Sequence, residues 1–442
     1  MSVVLGQPGF FGEQPGISFF NIDSIFDFLL SIGMKPFIEL GFMPEAYASG
    51  TRTCMHYKGN VTMPKDMKQW TGLITAFARH LLERYGENEV KSWFFEVWNE
   101  PNLSYFFAGS QKDYFRLYEA TARALKEVSA SLRVGGPATS VNAWIPDFVA
   151  FCKENRVPVD FISTHHYPSD DPLSSAGMNG IDTPGESYEE MFAALKKDPE
   201  KLKAVMESMA AGRPSRNPRD IMERMTKQAK REAGDLPLYY TEWNGSKEFD
   251  TSYQAAFIIH TLAHNHGLVE GYSYWTVSDL FEEMGLQPAP FKNAFGLLTN
   301  HGIKKPSYHV FEQLHQAGDM QVATEGGSRT CEAFALTDGA STTIFIYNHD
   351  IDRREIKTEE VRLQILGAVR SIKKAVIDDS YTNPKAVWEK IGSPLYLKQA
   401  QVREIANSGR LVFEDVLVGD DQDMELTFNA APESVTIVKI TR

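Results

Sequence analysis

Short apolar segments alternate with longer segments of helical period from Asn21 onward. In the longer segments apolar residues recur every three or four positions and therefore share one face of a helix. Such alternation is typical of a parallel sheet whose strands are joined by crossover helices. The pattern predicts strands at 36–42, 93–98, 132–136, 159–165, 238–241 and 271–275.

A helix is predicted before each of these strands. The first starts near Ile22 and ends at Gly33, and the second ends near Tyr85. The others are predicted at 114–128, 144–154, 221–232 and 253–266. An eight-stranded β/α barrel needs two more strands, and the residues before Ile22 have room for one short strand near 3–5. We therefore expect an α/β fold of the (β/α)8 TIM-barrel type that is incomplete at its N-terminus, with about six βα units.

The pattern changes near Gly318 to short strands between turn residues. These are predicted at 342–347, 361–365, 411–413, 424–428 and 435–440. They favour an all-β module, a sandwich. We thus expect a catalytic barrel over 1–317 and a β-sandwich accessory domain over 318–442. The segment 168–219 is rich in Pro, Gly, Ser and charge, and we expect it on the carboxyl face of the barrel, where substrate loops lie.

Composition narrows the function classes. The formal net charge of −13 disfavours binding to nucleic acid, because it repels phosphates. No apolar run reaches about 20 residues, and the start of the chain lacks the order of a signal peptide, so neither a membrane span nor secretion is predicted. Cys54, Cys152 and Cys331 are far apart, which favours free thiols in a reducing, cytoplasmic compartment. His264 and His266 lie on or just past a helix without a third ligand, so no metal site is predicted.

Two glutamates end strongly apolar predicted strands, where a charge is costly unless a site needs it. Glu100 lies in Trp-Asn-Glu-Pro-Asn at 98–102, and Glu242 lies in Thr-Glu-Trp-Asn at 241–244. The carboxyl ends of barrel strands form the active site, so these carboxyls can converge on one pocket. A carboxyl pair is the machinery of glycoside hydrolysis. The first motif alone is also compatible with a turn that opens a helix. Glu39, inside a predicted strand, is expected to form a structural salt bridge.

The sequence resembles glycoside hydrolase family 39, and in particular its β-xylosidases, from about Phe19 to the C-terminus. The segments that carry the resemblance are 37–44, 59–62, 98–102, 135–137, 241–244 and 274–279. The resemblance implies a retaining barrel hydrolase in which Glu100 is the general acid/base and Glu242 is the nucleophile. It also implies five substrate-binding residues, which are Asn99, His165, Tyr167, Trp275 and Glu283. Packing or solvated roles stay open for His165, Tyr167, Trp275 and Glu283.

The resemblance implies an exo-acting β-xylosidase in xylan degradation. It would release xylose from small xylo-oligosaccharides or aryl xylosides by double displacement, without a cofactor, and as a homo-oligomer. The sequence lacks the family's first two βα units, including a histidine that contacts the sugar, and it lacks at 245–249 a tyrosine that often follows the nucleophile. Two alternatives therefore stay open: a hydrolase of the same family that acts on an iduronide or an arabinoside, and a catalytically silent carbohydrate-binding remnant.

Overall fold

The computed structural model describes residues 4–5, 17–170, 218–281, 283, 285, 288–351, 356–418 and 423–442. Most of the predicted loop segment 168–219 lies outside the described residues. Among the described residues, every helix is too short or too polar to cross a bilayer.

A six-stranded parallel sheet dominates the N-terminal part of the chain. The strands up to residue 274 are β1 (Val4–Leu5), β2 (Ile17–Ser18), β3 (Phe37–Leu40), β4 (Thr53–Cys54), β5 (Gly59–Asn60), β6 (Phe94–Val97), β7 (Arg133–Thr139), β8 (Phe161–His166), β9 (Leu238–Trp243) and β10 (Gly271–Tyr274). The parallel sheet has the order β10-β9-β8-β7-β6-β3. All six predicted strands of this sheet are confirmed. The expected short strand near 3–5 is also present, but it pairs antiparallel with β2 instead of joining this sheet.

The helices follow the predicted alternation with the strands. They are α1 (Phe20–Ser31), α2 (Met67–Tyr85), α3 (Glu87–Val90), α4 (Gln111–Val128), α5 (Ile145–Asn155), α6 (Ile221–Ala233), α7 (Ser252–Asn265) and α8 (Pro306–Gln316), with α9 (Pro384–Lys390) and α10 (Gln399–Ser408) in the C-terminal part. Their apolar faces pack on the sheet. In α2, for example, Leu73, Ile74 and Phe77 are buried in the main core. The helical period is visible in the sequence because the buried apolar residues of each helix share one face.

The parallel sheet is strongly curled. The ring of Phe37 on the edge strand β3 lies 5.6 Å from the ring of Tyr239 on β9, although three strands separate these two in the sheet order. Phe94 and Phe161 complete the same aromatic layer, with centroids 5.4 Å apart. Gly135 on β7 makes room for it, because a Cβ there would lie 2.4 Å from the carbonyl oxygen of Phe161. The curl brings the carboxyl ends of β6, β8 and β9 together on one side.

The C-terminal strands form two antiparallel sheets. They are β11 (Met320–Val322), β12 (Cys331–Thr337), β13 (Ser341–Asn348), β14 (Glu359–Ile365), β15 (Ser371–Ile377), β16 (Glu414–Val416), β17 (Met424–Ala430) and β18 (Ser434–Thr441). One sheet has the order β11-β12-β13-β18-β15-β16, and β14 pairs with β17 in the other. Apolar side chains of both, including Ile346 and Phe428, share one core. The other face of the larger sheet packs against α7, where the Tyr253 hydroxyl donates to the carbonyl of Ile351 at 2.9 Å.

Two expectations for the C-terminal part are wrong. The module is not all-β, because α9 and α10 lie between β15 and β16. Trp388 and Ile405 from these helices are buried against Phe291 and Ile303, so the helices are held by a non-local contact. The strand expected at 411–413 begins instead at Glu414.

Candidate active site

Glu100 follows the end of β6 in a tightly held backbone. Its φ is 42° and that of Trp98 is 70°, both in the left-handed region that few non-glycine residues adopt. The amide of Glu100 donates to the carbonyl of Ala138 at 2.8 Å, and the Trp98 indole donates to the carbonyl of Phe106 at 2.9 Å. Glu100 is only 6% exposed. Strained backbone that is anchored on both sides is typical of a residue held for chemistry rather than for packing.

Glu242 lies on β9, and its neighbours His165 and Tyr167 lie on or just after β8. Glu242 is the fifth residue of β9, and it is in register with His165 on β8. Nδ1 of His165 lies 3.1 Å from Oε1 of Glu100 and 3.4 Å from Oε2 of Glu242. The Tyr167 hydroxyl, one residue past the end of β8, donates to Oε1 of Glu242. The structure therefore brings together four of the residues that the sequence singled out.

The two carboxyl groups are close to each other. One oxygen of Glu100, one oxygen of Glu242 and a ring nitrogen of His165 all lie within 4.8 Å of one another. Carboxyl groups about 5 to 5.5 Å apart are typical of retaining glycosidases, whereas inverting enzymes separate them by about 6.5 to 9.5 Å. The spacing fits retention. The same three atoms are close enough to hold a metal ion, so proximity alone does not decide the chemistry.

Burial and neighbouring charges shift the protonation of these groups. Burial raises the pKa of Glu242 to about 8, and the charge of Glu100 adds to the rise, while His165 and Tyr167 oppose it. Burial lowers the pKa of His165, but the carboxylates of Glu242 and Glu100 outweigh it and raise the pKa to about 10. The site thus favours a cationic imidazole between two acids that share negative charge.

The remaining predicted residues surround this group. Burial and the charge of Glu100 raise the pKa of Glu283 to about 8, so Glu283 faces the same negative field. Asn99 is half-buried beside Glu100, and its amide makes no hydrogen bond to another residue of the described chain. Trp275 follows β10. Its amide donates to the carbonyl of Trp243 at 3.0 Å, and its ring packs on Phe281 with centroids 5.2 Å apart.

Two further acids near the site, Asp170 and Glu96, were not predicted from the sequence. Oδ2 of Asp170 accepts a hydrogen bond from the amide of Tyr167 at 2.9 Å. Oε1 of Glu96 accepts one from the Thr241 hydroxyl at 2.7 Å, which ties β6 to the residue before Glu242. Glu96 could have been identified from the sequence, because it is a charged residue inside the otherwise apolar strand 93–98.

The prediction that Glu39 forms a structural salt bridge is wrong. Among the described residues, no Lys, Arg or His forms an ion pair with Glu39. Glu39 instead lines a cavity of about 420 Å³ between β3, α1 and α2. Burial raises its pKa to about 8, and the nearby charge of Glu96 adds to the rise.

Comparison with known proteins identifies relatives over nearly the whole chain. The chain is 44% identical over 436 residues to a β-xylosidase of Caldicellulosiruptor saccharolyticus, which covers 96% of this chain and 83% of that protein. It is 35% identical over 441 residues to a β-xylosidase of Geobacillus stearothermophilus, covering 97% of this chain and 81% of that protein. A solved structure of a GH39 β-xylosidase from Caulobacter crescentus matches with a TM-score of 0.76 and 30% identity, covering 100% of this chain and 86% of that one. The family model "Glycosyl hydrolases family 39" matches residues 7–205 and 195–414, and the chain belongs to this family.

Proposed function

We propose that this chain is a retaining β-xylosidase that removes a terminal xylose from small xylo-oligosaccharides or aryl xylosides. One observation carries the proposal: the carboxyl groups of Glu100, which is buried, and of Glu242, which is 13% exposed, lie at the ends of strands of one curled sheet, with one oxygen of each within 4.8 Å of the other. The proposal also rests on membership of a glycosidase family and on 44% identity to a β-xylosidase. No cofactor takes part in the proposed reaction.

In the first step Glu242 is the nucleophile and Glu100 is the acid. A carboxylate oxygen of Glu242 bonds to the anomeric carbon of xylose while the glycosidic C–O bond breaks. Glu100 gives its proton to the departing oxygen, which leaves as an alcohol or a phenol. In the second step Glu100, now ionised, takes a proton from water, and the resulting hydroxide equivalent displaces Glu242 from the sugar. Two inversions at the same carbon restore the β configuration.

Further residues support binding of the sugar in this proposal. Asn99 is next to Glu100, and its amide would bond the 2-hydroxyl as charge develops on the sugar ring. In this proposal His165 and Tyr167 line the sugar, with Tyr167 bonded to Glu242 and His165 bonded to Glu100. Trp275 offers an aromatic face, and Glu283 offers a carboxyl for sugar hydroxyls.

The division of the chain into two domains is also part of this proposal. We take the curled sheet as part of a (β/α)8 barrel within the catalytic domain 1–317, and the antiparallel sheets as a sandwich within an accessory domain 318–442. One β-xylosidase of known structure, from Caulobacter crescentus, is described as monomeric. Sedimentation of this chain would distinguish a monomer from a homo-oligomer.

Azide rescue of two variants tests the separate roles of the two acids. In Glu242→Ala, azide should attack the anomeric carbon from the vacated side and give the α-xylosyl azide from an activated xyloside. In Glu100→Ala, the xylosyl-enzyme still forms from nitrophenyl xyloside, and azide should then give the β-xylosyl azide. The conservative variant Glu242→Gln should lose more than about 1,000-fold of kcat for every substrate. Nuclear magnetic resonance of the products reports the configuration.

Specific outcomes would overturn the assignment. The same azide anomer from both variants would remove the distinct roles, and equal loss in Glu100→Ala for good and poor leaving groups would remove the acid role.

An iduronide is a second candidate substrate, because a segment of 131 residues is 31% identical to human α-L-iduronidase, although it covers only 29% of this chain. Parallel assays with nitrophenyl xyloside, arabinofuranoside and an iduronide decide between them. Binding of xylobiose without turnover would favour the silent carbohydrate-binding alternative.

A further inference from the structure

A cluster of two histidines and a glutamate lies where α7 meets β12, far in sequence from the acid pair. His260 and His264 are one helical turn apart and share a face of α7, and Glu332 projects from β12 between them. Oε2 of Glu332 lies 3.6 Å from Nδ1 of His260 and 3.3 Å from Nε2 of His264. The three ligand atoms all lie within 4.8 Å of one another. From the sequence alone, His264 and His266 were noted without a third ligand and no metal site was predicted, because the approach of Glu332 depends on the packing of β12 against α7.

The spacing of these atoms matches a tetrahedral metal site. A zinc ion binds nitrogen and oxygen ligands at about 2.0 to 2.2 Å, so two ligands of one tetrahedron are about 3.3 to 3.5 Å apart. The two distances from Glu332 bracket this value. Two histidines at positions i and i+4 of a helix are a recurrent metal-binding arrangement.

The other ring nitrogens are already fixed by polar partners. Nε2 of His260 lies 3.2 Å from the carbonyl oxygen of Arg219 and therefore carries the proton, which leaves a lone pair on Nδ1. This Nδ1 makes no hydrogen bond within the described chain, although His260 is only 3% exposed. Nδ1 of His264 faces Oε2 of Glu223 at 3.4 Å. Outer partners of this kind orient the histidine ligands of metal sites.

The cluster also has access to solvent on one side. His264 and Glu332 line a cavity of about 450 Å³ between the helix and the two antiparallel sheets, together with Tyr347. Water from this cavity can supply a fourth ligand. One cation already competes for the site, because Nη2 of Arg219 lies 2.6 Å from Oε2 of Glu332.

We propose that His260, His264 and Glu332 bind a divalent transition-metal ion of the zinc class, with a water ligand from the cavity and with Arg219 displaced from Oε2 of Glu332. A bound ion would link α7 to β12, and so tie the parallel sheet and its helices to the antiparallel sheets. The proposal is independent of the glycosidase assignment.

The test is titration of the intact, metal-stripped chain with Zn²⁺ by calorimetry and with Co²⁺ by visible absorption. All measurements use the Glu242→Gln background, which removes a ligand from the catalytic group and so keeps that group from being mistaken for this site. We expect one equivalent to bind, with the visible bands of tetrahedral Co²⁺. His264→Ala should weaken binding by more than about tenfold. The matched control His266→Ala, at an exposed position next to the helix end, should bind as tightly as the parent.

A further variant keeps the test decisive if loss of a histidine disturbs the helix. Arg219→Gln removes the competing cation and should tighten binding of Zn²⁺, with circular dichroism used to verify the fold. A cluster that serves only as a hydrogen-bonded junction would not gain affinity in this way. The proposal is overturned if neither ion binds, if His264→Ala binds as tightly as the parent, or if Arg219→Gln leaves the affinity unchanged.

Discussion

The Tyr167 hydroxyl donates a hydrogen bond to Oε1 of Glu242. The second oxygen of Glu242 lies 3.4 Å from Nδ1 of His165, whose hydrogen bond is to Oε1 of Glu100 at 3.1 Å, so Tyr167 is the hydrogen-bond donor to Glu242. Burial raises the pKa of Glu242, and the bond from Tyr167 opposes that rise. Tyr167 therefore favours the ionised carboxylate, which is the form that a nucleophile requires.

Replacing Tyr167 with phenylalanine should lower activity and shift its pH dependence. The change leaves the ring but removes the donor, so the pKa of Glu242 should rise further and the acidic limb of kcat/KM should move to higher pH. A hydrogen bond to a charged group contributes about 1.5 to 3 kcal/mol, so kcat/KM near neutral pH should fall by about 10- to 100-fold. The pH profile with nitrophenyl xyloside measures both effects.

Tyr272 offers a matched control for this variant. It is also a half-buried tyrosine of the same sheet region, but its hydroxyl lies 3.2 Å from Oγ1 of Thr226. Tyr272→Phe should leave the acidic limb in place. A profile for Tyr167→Phe with reduced rate but an unmoved limb would contradict the proposed effect on Glu242.

Lys305 should be essential for stability. It is fully buried, and its Nζ lies 2.7 Å from Oδ1 of Asp250 and 2.9 Å from Oδ2 of Asp279. Lys305→Met would leave two buried carboxylates without their cation, which typically costs about 3 to 5 kcal/mol. Urea unfolding followed by circular dichroism should show this loss in the free energy of unfolding.

The neighbouring Lys304 tests whether the effect comes from burial. Its side chain is 42% exposed and pairs with Glu312 on the surface. Lys304→Met should therefore change the free energy of unfolding by less than about 1 kcal/mol. Similar losses for both lysines would argue against a buried ion-pair network as the reason.

Gly135→Ala should disturb the aromatic layer that curls the parallel sheet. An added Cβ would lie 2.4 Å from the carbonyl oxygen of Phe161, and backbone cannot move away cheaply. We expect a loss of about 1 to 3 kcal/mol in the free energy of unfolding. Gly72→Ala in α2 is the control, because nothing lies within 4 Å of its Cβ, and it should stabilise the helix by about 0.5 to 1 kcal/mol. Equal effects of the two changes in urea unfolding would contradict a steric role for Gly135.

Local patterns explain which parts of the fold were predictable. The strands of the parallel sheet and the helices beside them follow from apolar runs and helical period, because each buries a continuous face. The helices α9 and α10 were missed because they are short, and because Trp388 and Ile405 are buried by contact with the distant Phe291 and Ile303. Nothing local in the sequence marks such a contact.

In the candidate site, too, single residues were predictable from local sequence, whereas contacts between distant residues were not. Glu100 and Glu242 were recognisable because each is a charge at the end of an apolar strand. The hydrogen bond from Thr241 to Glu96 joins residues 145 positions apart. The contact of His264 with Glu332 joins residues 68 positions apart. Pairings of this kind depend on the curl of the sheet and on the packing of the antiparallel sheets against α7, which single-sequence patterns do not encode.

Glu39 should make the stability of this protein depend on pH in an unusual direction. Burial raises its pKa from 4.5 to about 8 in the folded chain. Between these pH values the folded protein keeps a proton that the unfolded chain has lost. The free energy of unfolding therefore falls as the pH rises through this window, and below it Glu39 contributes no penalty.

Glu39→Gln isolates this effect, because glutamine has nearly the same shape as the protonated acid and cannot ionise. Relative to the parent, the variant should gain about 2 to 4 kcal/mol in the free energy of unfolding at about pH 8.5, and should differ little at about pH 5. Urea unfolding at both pH values measures the difference, which includes a part from Glu283, because the charge of Glu39 also raises the pKa of that acid. The exposed Glu83 on α2 is the control, and Glu83→Gln should show no pH-dependent gain. The same gain for Glu39→Gln at both pH values would mean that packing in the adjoining cavity, and not the buried charge, limits stability at this strand.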